Sequence, residues 1–220
     1  MNSASSAEEN RLLDNVIARR RSVRVFKSEA PPEAWIEQVI HAGLQAPYAG
    51  LAAKAGVPYR LFRIIRQGPT MVAAQELIKG QAREELEELK AEMARNAYVR
   101  ENGKAFQKAV EALAEHGIPS LRDAPYFIVV AERRGIPSVE FESLAHCLEN
   151  MWLKATALGL GFQVLSSTKT LSQNPRFFEL LHLELGEFLL NGCALGYPGQ
   201  APAEKHLFPV SQVLEWLPTL

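Results

Sequence analysis

Four apolar runs of strand length, "PYRLFRII", "DAPYFIVV", "FQVLSS" and "EFLLNGCALGYP", are separated by stretches of helical periodicity, and two further helical stretches precede them all. That order restricts the chain to folds that mix helices with strands. No strand is followed by the glycine fingerprint that opens a dinucleotide-binding βαβ unit. "GLGF" at residues 159–162 follows a helical stretch and lacks the third glycine, so it reads as a helix C-cap.

The first helical stretch, "EENRLLDNVIARRR", sets Leu12, Leu13, Val16 and Ile17 on one stripe and brings its arginines to the last turn. Cations there complement the negative end of the helix dipole. The cluster continues as "RRRSVRVF", residues 19–26, three arginines before a serine and a fourth two residues later. Two prolines open the second helix, whose buried face carries Trp35, Ile36, Val39, Ile40 and Leu44, and Pro47 ends it. Between about Met71 and His116 lies a charged helical section with Leu86, Leu89 and Met93 at helical spacing, the pattern of a solvated amphipathic helix. "NPRFFELLHL" reads as a short helix and "FPVSQVLEWL" as a closing helical turn.

Charge narrows the partners. Lysine plus arginine total 24 against 25 aspartates plus glutamates, which excludes the global basic excess of a nucleic-acid binder. No apolar segment approaches the roughly 18 residues of a bilayer span, and the opening "MNSASSAEEN" lacks the basic start and apolar block of a secretion signal. Residues 1–9 are expected to be a flexible tail ahead of one domain, 10–220, with a helical insertion at about 71–116. Cys147 and Cys193 are too few and too far apart for a disulfide framework, and both sit in apolar surroundings, which suits buried thiols in a reducing cytoplasm. Glu142, His146 and Glu149 recur at i, i+4 and i+7 on one helix, but a di-metal centre would need further ligands at helical spacing elsewhere, and the long charged helix supplies glutamates without a histidine. No metal is expected.

Five fragments in order, "RRSVR", "AGLQAPYAG", "DAPYFIVV", "ALGLGFQVL" and "ALGYP" ahead of "EKHLFPVSQV", resemble the nitroreductase family of FMN-dependent oxidoreductases. The resemblance runs from about residue 10 to 215 and omits the charged helices between Met71 and His116. It implies an α+β fold with a mostly antiparallel sheet flanked by helices, built as an intertwined homodimer with FMN at the subunit interface. It also implies NADH or NADPH as hydride donor and a nitroaromatic, quinone, enone or related small organic acceptor. By the matching motif, Arg20 reaches the phosphate and ribityl end, Arg21 and Ser22 bond the ribityl and ring edge, and Arg24 tunes the flavin near N1 and the C2 carbonyl. Pro47, Tyr48 and Ala49 of the partner subunit line the ring. Leu165, Ser166 and Ser167 run over it, and Lys205 meets the phosphate.

The chain departs from the family pattern at three places. Tyr48 stands at the usual serine and the following asparagine is absent. Val57, Pro58 and Tyr59 replace a Gln-Pro-Trp, and Leu207 replaces an arginine two positions after Lys205. Two alternatives therefore accompany the oxidoreductase reading: a flavin-binding or flavin-modifying member of the same fold without ordinary NAD(P)H turnover, and a helical metal-binding or interaction protein.

Overall fold

The structure is a computed structural model that describes residues 3–201, 203–205 and 207–217. Its elements in chain order are α1 (Ser3–Arg19), α2 (Glu33–Leu44), β1 (Arg60–Arg66), α3 (Pro69–Arg95), α4 (Ala97–Asn102), α5 (Lys104–His116), α6 (Ser120–Asp123), β2 (Tyr126–Arg133), α7 (Glu140–Ala157), β3 (Gly161–Val164), α8 (Pro175–Leu180) and β4 (Phe188–Gly196). Short 3-10 helices cover Leu51–Ala53, Ser166–Gln173 and Val210–Gln212. The four strands form one antiparallel sheet in the order β1-β2-β4-β3. This is the α+β class expected from the resemblance.

The alternation of side chains along β2 divides the core. Phe127, Val129 and Ala131 pack with α3, α8 and the 3-10 helix that follows β3, whereas Tyr126, Ile128 and Val130 pack against α2 and α7. With helices on both faces, β2 is buried from Tyr126 to Glu132, which accounts for its continuous apolar run. A small separate cluster of Ala82, Val110 and Ala114, with Leu86 beside it, joins α3 to α5. The charged section is thus a helical unit with its own narrow apolar seam.

Three features differ from expectation. Residues 3–9 belong to α1 rather than to a tail. Their alanines and glutamates favour helix once a longer apolar-periodic segment nucleates it. The strand expected at "FQVLSS" ends at Val164, because the chain turns at Leu165 and Thr168 N–H donates to the Leu165 carbonyl at 2.9 Å. Leu44, placed on the buried face of α2, is exposed. The Gly159 reading holds: its φ is 75°, and Leu160 N–H closes the end of α7 on the Ala155 carbonyl at 2.8 Å.

Within one chain much apolar surface stays uncovered. Leu12, Leu13 and Ile17 on α1 are exposed, as are Leu207, Val210, Val213, Leu214 and Trp216 after β4. No helix among the described residues is long and apolar enough to cross a membrane.

Candidate functional site

The arginine-rich segment leaves α1 and runs along β3, the edge strand of the sheet. Ser22 bridges Phe162 in parallel, and Val23 N–H donates to the Phe162 carbonyl at 3.0 Å. The approach is close: a Cβ on Gly161 would lie 2.7 Å from Val23 Cγ1. Farther on, Phe26 bridges Pro198, and Lys27 N–H donates to the Tyr197 carbonyl. Val23 and Phe26 are buried while Arg24 is exposed, so the sheet fixes the backbone and leaves the Arg24 cation available.

The arginines differ in their surroundings. Arg20 stacks over the Trp152 ring at 4.2 Å and pairs with Glu149 at 3.0 Å. Trp152 in turn stacks on Phe162, and its indole N–H donates to the Arg21 carbonyl at 3.2 Å. Glu149, read above with Glu142 and His146 as a helical stripe, therefore serves an arginine. Arg21 donates from Nη1 to the Ala18 and Arg20 carbonyls at 2.6 and 2.8 Å and from Nε to the Ala203 carbonyl at 3.3 Å. It caps the end of α1, as dipole complementation requires. It also lines a cleft of about 420 Å3 with Arg19, Val23, Leu160, Pro198 and Glu204. Lys205 follows Glu204 and is exposed.

The Leu165–Ser167 segment lies at the end of β3. Leu165 N–H donates to the Gly192 carbonyl at 2.8 Å, while Ser166 and Ser167 open a 3-10 helix whose first N–H groups have no intrahelical acceptor. Upstream on β3, Gln163 Oε1 is buried without a hydrogen-bond partner. Cations near a cleft, free backbone donors and an unpartnered acceptor on one strand edge suit an anionic group joined to a hydrogen-bonding ring.

Pro47, Tyr48 and Ala49 are elsewhere. Tyr48 stacks on Tyr59, with centroids 4.3 Å apart and planes 7° off parallel, and its hydroxyl donates to the Arg133 carbonyl at 3.1 Å. Tyr59 precedes β1, and Arg133 ends β2. The loop thus sits by the β1 edge, whereas Ser22 sits by the β3 edge. Three strand spacings separate these edges, roughly 14 Å. One chain does not bring the two parts of the expected set together. Burial, with Glu132 and Glu140 nearby, pushes the Tyr48 hydroxyl above its ordinary pKa. Its proton is held on the Arg133 carbonyl.

Sequence reasoning missed a polar cluster beneath that loop. Arg60 and Glu132 face each other in the β1–β2 register, with side chains only 1% and 0% exposed. Arg60 Nε donates to Glu132 Oε2 at 2.8 Å, and Nη2 donates to Glu132 Oε1 at 3.1 Å and to Ser143 Oγ at 2.8 Å. Nη1 donates to the Gly43 and Ala46 carbonyls at 2.7 and 3.2 Å. Ser143 Oγ lies 2.6 Å from Glu132 Oε1 and 3.1 Å from the Pro47 carbonyl. The available signal was an arginine opening β1 and a glutamate closing the buried apolar run of β2.

A family model described as the nitroreductase family matches residues 17–197. Among solved structures, a nitroreductase with bound FMN from Bacteroides fragilis is similar at 18% identity, covering 94% of this chain and 98% of its own, with a TM-score of 0.68. A BluB-like flavoprotein from Clostridium difficile matches at 19% identity, 94% and 99% coverage and a TM-score of 0.68. A nitroreductase with bound FMN from Desulfitobacterium hafniense matches at 20% identity, 94% and 98% coverage and a TM-score of 0.64. At such identities these likenesses establish the fold. No curated protein matches the sequence.

Proposed function

The chain belongs to the nitroreductase family, and we propose that it is an FMN-dependent oxidoreductase that takes a hydride from NADH or NADPH and reduces a nitroaromatic, quinone, enone or related small organic acceptor. When bound, FMN supplies the hydride acceptance and delivery that no side chain provides. The observation that carries this reading is the Arg20–Arg24 segment, anchored on the β3 edge beside the free N–H groups of Ser166 and Ser167 and the unpartnered Gln163 Oε1.

In this reading Arg21, which lines the cleft, and Lys205, next in the chain to the cleft residue Glu204, hold the phosphate. Arg20 joins them when it leaves Glu149. Ser22 and the Leu165–Ser167 backbone bond the ring edge and ribityl chain, and Arg24 supplies a fixed cation beside the part of the ring that gains negative charge. Pro47, Tyr48 and Ala49 come from a second copy of the chain. Their distance from Ser22 across the sheet supports a homodimer, as does the apolar surface on α1 and after β4 that one chain leaves uncovered. Leu207 in place of a cation predicts looser phosphate binding than a full set would give.

The test is acceptor-dependent oxidation of NADH and NADPH by the FMN-loaded protein, surveyed over a nitroaromatic, a quinone and an enone. Turnover with at least one acceptor, abolished by removing the flavin, is expected. Flavin binding without oxidation of either nucleotide would favour the flavin-binding or flavin-modifying alternative. An inert, flavin-free protein would overturn both.

A further inference from the structure

The buried Arg60–Glu132–Ser143 cluster has no place in the chemistry above, and its burial is costly. Two charges withdrawn from water gain little stability over a well-packed apolar pair of the same volume. Yet every N–H of the Arg60 guanidinium has an acceptor: the Glu132 carboxylate takes two, Ser143 Oγ one, and the Gly43 and Ala46 carbonyls the rest. Those carbonyls are distinctive. Gly43 O belongs to the last turn of α2, where carbonyls lack intrahelical donors and the helix dipole favours a cation. Ala46 O and Pro47 O, the latter within reach of Ser143, belong to the loop that follows. A second tie acts at the neighbouring residue of β2, where the Tyr48 hydroxyl meets the Arg133 carbonyl.

We infer that Arg60, Glu132 and Ser143 form a positioning device that sets the height and direction of the Gly43–Gly50 segment, and with it the surface that Pro47–Ala49 offers to the partner subunit's flavin. The inference rests on the FMN reading above. The division of labour follows from the bonds. Glu132 holds the guanidinium plane through a two-point contact. The guanidinium presents its remaining donors to the end of α2 and to the loop, and Ser143, which accepts from Arg60 and gives its single proton to Glu132, ties α7 to the pair. Gln45 N–H and Ala46 N–H bond back to the Ala42 and Gly43 carbonyls, which are contacts within the segment and do not locate it against the sheet. Apolar replacements would fill the volume but take the Arg60 donor from Ala46 O and leave Gly43 O only its bond from Ala46 N–H.

The test compares wild type with R60M/E132L and with R60K, which keeps the charge but not the planar fork. Amide hydrogen exchange over residues 45–51 is measured without added flavin, and FMN affinity and the absorption spectrum of bound flavin are measured separately. In R60M/E132L, exchange in this segment should rise about tenfold, the equivalent of one or two lost hydrogen bonds. FMN should bind about tenfold more weakly with a shifted spectrum, and R60K should fall between. Leu190→Ala, a core truncation away from the loop, should lower thermal stability while leaving both readouts near wild type. Unchanged exchange in R60M/E132L, or in R60K if the double variant does not fold, overturns the positioning role. Faster exchange with unchanged FMN affinity and spectrum overturns its link to the cofactor. Failure of the FMN reading itself would appear instead as a wild-type protein that binds no flavin, and that result would overturn the cofactor link as well.

Discussion

Gly50→Ala isolates the seat of Tyr48. Gly50 has φ −71° and ψ 156°, a conformation open to any residue, so alanine there meets no backbone obstacle. Its Cβ, however, would stand 2.3 Å from Tyr48 Oη and 2.5 Å from Cζ. The phenol must leave. It then gives up its hydrogen bond to the Arg133 carbonyl, worth about 1 kcal/mol, and its stack on Tyr59, worth about 0.5–1.5 kcal/mol. Against this, alanine stabilises by about 0.4–1 kcal/mol through the unfolded chain. The net loss is about 0.5–2 kcal/mol by these terms. In a Tyr48→Ala background only the last of them survives, and Gly50→Ala should stabilise. Thermal unfolding followed by far-ultraviolet circular dichroism, at fixed flavin concentration, reads the cycle. For a chain of this length about 1 kcal/mol moves Tm by about 2–4 °C. The expected result is a fall of several degrees in the native background and a small rise in the Tyr48→Ala background. An equal fall in both would refute the seating of Tyr48 over Gly50.

Arg24→Gln should lower the two-electron potential of bound FMN by about 30 mV, the equivalent of about 1.4 kcal/mol, a modest shift because solvent screens an exposed guanidinium; redox titration checks it, and an unchanged potential would reduce Arg24 to a surface cation. Leu207→Arg should tighten FMN severalfold and leave riboflavin binding unchanged, since only FMN carries the phosphate; equal effects on both ligands in titrations would place residue 207 away from it. Burial pushes the Cys147 thiol up to about 12 from an ordinary value of 9.0. The unfolded chain therefore releases this proton first as pH rises, and the associated stability is complete below pH 9 and is lost towards pH 12. Cys147→Ala should flatten that part of the stability profile in denaturant titrations, and a profile with the native slope would contradict the assignment.

The strands were legible because β2 and β4 carry long apolar runs, and the end of α7 because a glycine stands where a left-handed residue is needed. β3 was read three residues past its end. "VLSS" has a strand-like composition, and the turn at Leu165 is set by contacts with Gly192 that no local pattern encodes. The RRSVR segment was legible as a motif, and its bridge to Phe162 sits beside the buried Val23. The fates of its arginines were not legible, because Glu149 and Trp152 come from α7, more than a hundred residues away in the chain. The same holds for Arg60 and Glu132. Each looks like an ordinary strand-end charge until the register puts them opposite one another beneath the end of α2. Tyr48 was noted as a departure from the family pattern, but its stack on Tyr59 and its place above Gly50 depend on three-dimensional closure of the loop.

Every residue role proposed for FMN requires that this chain hold it as a working hydride acceptor. Anaerobic mixing of the FMN-loaded protein with excess NADH or NADPH measures that step alone, before any organic acceptor is chosen. Complete loss of the oxidised-flavin absorbance is expected with at least one of the two nucleotides, at one nucleotide consumed per flavin. A flavin that stays oxidised with both, yet is bleached by dithionite, would contradict it.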